Sequence, residues 1–226
     1  MYCAIIGDIV ESKKITKREE IQNKLAKKLT QINKEIPNIA SNFSITLGDE
    51  FQGLLQSCDH VIKIVNAVKL EMYPIKIRFG VGLGEMSTSI NKELPLGSDG
   101  KAYHNARSAI DEIKKIEKQY EPPAINVMVK IQNEILLSDR KNIDVNLLNI
   151  NFSACSFIEK SWTLKQIEVL KLKEKNLTQR QIAEKLNITQ SNVQRRIDAS
   201  GYYTYNYCLN NIQIYLKELW ETMNVY

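Results

Sequence analysis

SITLGDEFQGLL, residues 44–55, is the stretch that decides how the first half of this chain folds. Two short apolar runs flank Gly48, Asp49 and Glu50, and a glycine followed by an acid is the chemistry of a tight hairpin turn. The hairpin therefore carries carboxylates at its tip. Outward from it, YCAIIG reads as a buried strand, and KREEIQNKLAKKLTQINKEI sets Ile21, Leu25, Leu29 and Ile32 on one face of a helix. HVIKIVNAVKLEM is a second amphipathic helix, and IKIRFGVGLG is a strand in which Ile75, Ile77, Phe79 and Val81 alternate. KAYHNARSAIDEIKKI is a third helix and AINVMV a further strand. The order β, α, β, β, α, β is that of an α/β, ferredoxin-like (α+β) sheet, in which the first strand neighbours the central hairpin. Asp8, at the end of the first strand, then faces Asp49.

Two carboxylates brought together from different elements repel unless something positive lies between them. A divalent cation is one answer, since Mg²⁺ takes hard oxygen ligands and is commonly held by one or two carboxylates together with substrate phosphates. The plainer alternative stays open: LGDE is also ordinary turn chemistry, and an Asp after a strand caps helices. Gly80, Gly82 and Gly84 lack the spacing of a phosphate-binding GxGxxG loop and read as tight strand packing.

At 226 residues and 43% hydrophobic content, the chain can bury a core of ordinary size. No apolar run approaches the roughly 18 residues of a membrane span, so no membrane partner is expected and a cytoplasmic location is. Cys3, Cys58, Cys155 and Cys208 lie far apart in sequence, form no CxxC and have only His60 and His104 for company. They read as reduced core thiols. Charge is uneven: residues 160–226 hold 10 Lys/Arg against 6 Asp/Glu, so they carry +4 of the net +5. This predicts two domains with different partners, divided near IEKSW.

The second part reads as helix-turn-helix. Thr178 and Thr189 are N-cap candidates, Asn187 marks a short turn, and Ile182, Ala183, Leu186, Ile188, Val193 and Ile197 fall where a trihelical core needs apolar residues. Thr189, Gln190, Ser191, Asn192, Gln194, Arg195 and Arg196 then form a polar face suited to base edges and phosphates, with DNA the expected partner of residues 178–198. A trihelical module used only for docking is the alternative. The tyrosine-rich segment after Gly201 sets Leu209, Ile212, Leu216 and Leu219 on one helical face and reads as a homodimer helix or as packing between domains. Stacking on nucleic-acid bases is its other reading. Leu147, Leu148, Ile150, Phe152, Phe157 and Trp162 are too many apolar residues for a free linker and are expected to pack one domain on the other.

GDEF followed by QGLL resembles the signature hairpin of diguanylate cyclase (GGDEF) domains. IIGDIVESK, LGDEF, IRFGVGLGE and the glycine-led helix AYHNAR follow in the order of the class III nucleotidyl cyclases. The whole chain resembles the SatD family, small bacterial proteins with such a domain ahead of a helix-turn-helix. The resemblance implies a nucleotidyl cyclase-like domain over residues 1–142, a helical connector over 143–160 and a helix-turn-helix domain with an aromatic C-terminal helix over 161–226. It implies Mg²⁺ or Mn²⁺ on Asp8, Asp49 and the Ile9 carbonyl. A nucleotide is implied near Gly48, Glu50, Asp99, Gly100, Lys101, His104, Asn105 and Arg107. DGKAYHNAR is offset by one residue from both cyclase patterns, which leaves open which of its side chains points inward. Leu47 stands where the diguanylate signature has its first glycine, and no RxxD precedes the hairpin, so synthesis of cyclic di-GMP is not expected. The function expected is a nucleotide- and metal-binding transcriptional regulator. One alternative is an active nucleotidyl cyclase or nucleotidyltransferase acting on NTP with two divalent metals; another is an interaction protein with both sites degenerate.

Overall fold

The computed structural model describes residues 1–120, 124–131 and 139–224. Five strands, β1 (Tyr2–Ile9), β2 (Ile39–Leu47), β3 (Glu50–Leu55), β4 (Ile77–Gly84) and β5 (Val127–Ile131), form one mixed sheet in the order β2-β3-β1-β4-β5. β1 runs antiparallel to both β3 and β4, and β5 runs parallel to β4. The first strand thus lies beside the hairpin, and Asp8 stands opposite Glu50 in the β1–β3 ladder.

α1 (Arg18–Glu35) and α2 (Val61–Met72) pack on one face of the sheet, where Leu25, Leu29 and Ile32 meet the odd-numbered residues Cys3, Ile5 and Ile9 of β1. α1 opens with Glu19 and Glu20 and closes with Lys34, charges that complement the helix dipole. Pro37 stops it by holding Ile36 in the extended region. α3 (Lys101–Gln119) covers the other face, over the even-numbered Ala4 and Ile6. It lies directly on β4, where a Cβ at Gly80 would stand 2.0 Å from the Ala106 carbonyl oxygen and one at Gly82 would stand 2.1 Å from that of Ala102. The alternating glycines form a trough for the helix, the tight packing expected of them.

α4 (Asp139–Lys160) lies along β5, the edge strand. Asn149 accepts from the Val129 N–H at 2.8 Å and donates to the Val129 carbonyl at 3.0 Å, as a neighbouring strand would. Ser153 donates to the Ala124 carbonyl and Ser156 accepts from the Asn126 N–H, one and two turns further on. Three polar side chains on one helical face therefore satisfy Val129 on the edge and the Ala124 and Asn126 groups that lead into it.

α5 (Leu164–Lys173), α6 (Gln179–Leu186) and α7 (Gln190–Ala199) form a trihelical unit with its own cluster of Val169, Ile182, Ala183, Val193 and Ile197. α8 (Tyr202–Asn224) returns alongside α4 and α2, burying Tyr205, Leu209, Ile212, Leu216 and Leu219 in the main core. Trp162 joins the parts: its indole N–H donates to the Ser200 carbonyl at 2.8 Å, its own carbonyl accepts from the Tyr73 hydroxyl at 2.6 Å, and its ring meets Tyr205 edge to face. Leu148, Phe152 and Trp162 are buried as expected of packing residues, but Leu147, Ile150 and Phe157 are not, because they lie on the side of α4 that points away from the core.

The eight α-helices and five strands of the described residues make this a mixed α/β protein, and none of its described helices is long and apolar enough to cross a membrane. All four cysteines are free thiols. The fold nevertheless brings them together in pairs: Cys58 lies beside Cys3, and that neighbour together with burial pushes the Cys58 thiol up. Burial first, then Cys208 nearby, pushes the Cys155 thiol up to about 12.

Candidate functional site

At the end of β1 the pattern of alternating faces places three charged residues in one row. Glu50 of β3, Asp8 of β1 and Arg78 of β4 are directly opposite one another in the two ladders, so all three side chains lie on the α3 side. Asp8 is 8% exposed and Glu50 6% exposed, which makes unpaired carboxylates there costly. Each has a partner. Arg78 donates to Asp8 at 2.6 Å and to Glu117 of α3 at 2.8 Å, and Lys114 of α3 stands 3.2 Å from the same Asp8 oxygen. Arg107 grips Glu50 with both terminal nitrogens. Burial pushes the Arg78 guanidinium down, but its hydrogen bonds to Glu117 and Asp8 outweigh that and leave it raised. Arg107 is raised chiefly by its hydrogen bond to Glu50.

The hairpin turn is held by the segment ahead of α1 and by its first turns. Gly48 adopts φ +60°, a left-handed conformation that favours glycine, and a Cβ there would meet the Arg18 guanidinium at 2.7 Å. Gln22 donates to the Gly48 carbonyl, and Ser12 donates to the Asp49 carboxylate. The Asp49 carbonyl accepts from the Ile9 N–H at 3.0 Å. Asp8, Ile9 and Asp49 are therefore neighbours along the backbone. Their side chains keep separate company: Asp8 with two cations, Asp49 with a hydroxyl.

Of the segment expected near a nucleotide, Arg107 joins the row through Glu50 and Asn105 turns inward to donate to the Leu83 carbonyl at 2.8 Å. His104 pairs with Asp99 at 2.7 Å on the surface. Gly100 caps α3 against its own chain, where a Cβ would meet the Glu85 carbonyl oxygen at 2.5 Å; Lys101 is the first residue of α3. Arg78, Lys114, Glu117, Ser12, Arg18 and Gln22 were not among the expected residues. For Arg78 a signal existed, since the same alternation that puts Gly80 and Gly82 under α3 puts Arg78 there too. Among the described residues, no three His, Cys, Asp or Glu side chains cluster closely enough to hold a metal ion.

In the trihelical unit, Thr178 and Gln181 form a reciprocal capping box at the start of α6. Asn187 ends α6 at φ 51°, and Thr189 accepts from the Asn192 N–H at 3.2 Å to start α7. The turn between the helices is thus built from an Asn in the left-handed region and a Thr cap. On α7, Gln190, Ser191 and Arg195 are exposed, with Arg195 donating to Asn192 at 3.0 Å. Gln194 is tied to Gln179 and Asp198, and Arg196 turns back to the Lys165 carbonyl of α5.

The sequence pattern of the SatD family matches residues 2–214, from the first strand to the middle of α8. The chain belongs to the SatD family. The family region therefore takes in the sheet, the acid–cation row and the trihelical unit together. No curated protein matches this SatD-family chain. A crystal structure of a regulator of polyketide synthase expression from Bifidobacterium adolescentis is similar at 13% identity over 96% of this chain and 80% of that one. Its TM-score of 0.26 does not establish a shared fold.

Proposed function

We propose that this SatD-family chain is a DNA-binding transcriptional regulator whose sheet domain senses a nucleotide. On this reading α5–α7 is a helix-turn-helix and α7 its recognition helix. The observation that carries it is the outer face of α7, where Gln190, Ser191 and Arg195 stand exposed behind the Thr189 cap. Amide, hydroxyl and guanidinium groups on one face of a short helix suit base edges and phosphates. The +4 surplus of residues 160–226 supplies the attraction to a polyanion.

The sheet domain is, on the same reading, cyclase-like and ferredoxin-like. Asp8, Asp49 and the Ile9 carbonyl are an all-oxygen donor set, the chemistry that suits Mg²⁺ or Mn²⁺. Asp8 is already paired with Arg78 and Lys114, so a cation would be held there only alongside a nucleotide whose phosphates took over Lys114 and Arg107 from the acids. When bound, the ion would offset phosphate charge. Of the residues expected near a nucleotide, Gly48, Glu50 and Arg107 adjoin these donors, whereas Asp99, Gly100, Lys101, His104 and Asn105 lie toward the other end of β4, beside Leu83 to Thr88, and would have to meet a different part of the ligand. Trp162, bonded to both halves, is the physical link through which nucleotide binding biases α7. Such coupling is reciprocal, so a nucleotide that changes DNA affinity tenfold has its own affinity changed tenfold by DNA.

Two measurements test this. Fluorescence anisotropy on promoter DNA at about 50 mM salt gives binding at micromolar protein or tighter, and Arg195→Ala weakens it by about 1 to 3 kcal/mol if the contact is to a base. Thermal shift with nucleotides and each metal gives a metal-dependent stabilisation that Asp49→Asn abolishes. No DNA binding by the unaltered chain overturns the regulator; steady turnover of an NTP with Mg²⁺ or Mn²⁺ replaces it with the nucleotidyl cyclase or nucleotidyltransferase reading.

A further inference from the structure

α4 and α8 turn an uncharged face outward, and we propose that this face docks a second copy of the same chain, whatever the acid–cation row or α7 binds. Charged residues make up 25% of the sequence, yet none falls between Asp144 and Glu159 in α4 or between Asp198 and Lys217 along most of α8. The two helices are antiparallel neighbours: Ile158 lies by Gly201, Glu159 bonds Tyr205, and Leu148 shares a groove with Tyr215. Their charge-free runs therefore coincide in space.

Burial explains the inner half of this pattern but not the outer half. Leu147, Ile150 and Phe157 of α4 are 53%, 62% and 78% exposed, and Tyr203, Tyr207 and Ile214 of α8 are 53%, 71% and 58% exposed. A helix that only packs inward carries charge on its far side, as α1 does with Lys27, Lys34 and Glu35. Loss of charge together with exposed aromatic and apolar side chains is the composition of an interface centre. Between the helices runs a groove of about 390 Å³, lined by Leu147, Asn151, Cys208, Asn211 and Ile214, with Glu218 at the end where the charge-free run of α8 stops.

Charge also identifies the occupant. With a net +5, two copies repel one another, and a face that has no charge of its own along these runs is where close contact adds least to that repulsion. The polar groups on this face are amides and phenols such as Asn151, Asn211 and Tyr207, which both donate and accept, so the face is complementary to itself. A two-fold contact requires that property. Nucleic acid would need cations beside the tyrosines, and neither run supplies one.

Sedimentation equilibrium of the full chain from about 1 to 100 μM tests this at about 0.1 M and 1 M salt, where the Debye length falls from about 10 to 3 Å. The expected result is a dimer that high salt leaves intact or tightens. Ile150→Lys and Tyr207→Lys each shift the chain to monomer at unchanged melting temperature, while Leu94→Lys, at an exposed site outside this face, leaves the dimer in place. Hydroxyl-radical labelling of the unaltered chain gives an answer without variants: Phe157 and Tyr207 become protected as concentration rises through the dimer midpoint. A monomer at every concentration, a dimer that salt dissociates, a dimer that survives both lysine substitutions, or labelling that ignores concentration overturns the proposal.

Discussion

Arg78 reaches Asp8 with a 2.6 Å hydrogen bond between residues that stand directly opposite each other on β4 and β1. The pair is nearly buried, with both side chains under 15% exposed, so its two charges depend on each other. Asp8→Asn leaves Arg78 with Glu117 alone and should cost roughly 2 to 4 kcal/mol, near the range for breaking a buried pair from one side. Urea denaturation measures it. Asp8→Asn with Arg78→Met together should cost less than the sum of the two single changes, and strict additivity would show that the pair is not coupled.

Tyr205 gives a pH dependence. Its hydroxyl donates to Glu159 at 2.8 Å and stands 3.2 Å from the Asn66 side chain, and burial, then the Glu159 charge, holds it well above the ordinary tyrosine value. A group raised in the folded state contributes stability in full below its unfolded pKa and loses it above. The loss should therefore begin near pH 10, where the unfolded tyrosine ionises and the folded one does not. Tyr205→Phe should be less stable at neutral pH by about 1 to 2 kcal/mol and show a shallower decline in alkali. Parallel alkaline slopes for the two chains would rule Tyr205 out as the cause.

Gly82→Ala should be among the most damaging single changes in the sheet. Its Cβ would sit 2.1 Å from the Ala102 carbonyl oxygen, and backbone on both sides leaves no flexible side chain to yield. A loss of more than about 3 kcal/mol is expected, as overpacking of this severity allows. Gly97→Ala serves as the contrast: φ is +86° but open space surrounds the Cβ position, so only about 1 kcal/mol of backbone strain is at stake. Equal melting temperatures for the two variants would contradict the trough described for α3.

Asn149→Ala removes both side-chain bonds to Val129 while leaving the helix intact. The expected cost is about 1 to 3 kcal/mol, because a buried N–H and carbonyl lose their partners at once. Hydrogen exchange at the Val129 amide should accelerate well before that of Val81 in the adjacent strand β4. Unchanged exchange at Val129 would mean that water or the backbone replaces the lost amide without cost.

The strands and helices were legible because each is carried by a local period. Alternation in IKIRFGVGLG gave β4, and the spacing of Leu25, Leu29 and Ile32 gave α1. The caps Thr178 and Thr189 marked α6 and α7 to the residue. What was not legible depends on register between distant strands. Asp8 and the hairpin acids were singled out from the sequence, but the cations that answer them, Arg78 and Lys114, come from β4 and α3, and no local pattern announces that pairing. The two faces of α4 posed a similar difficulty. Its apolar residues were visible as a group, but only their angular positions separate Leu148 and Phe152, which are buried, from Leu147 and Phe157, which are not.

The side-chain cover over β5 makes α4 a guard against strand exchange between molecules. Were the helix to lift while the sheet stayed folded, Val127–Ile131 would offer an apolar, ready-paired template to the same strand of another chain. Clumping would then set in at the temperature where α4 detaches, ahead of cooperative melting, and the shelf life of a concentrated solution would be governed by three polar side chains, Asn149, Ser153 and Ser156, rather than by the depth of the core.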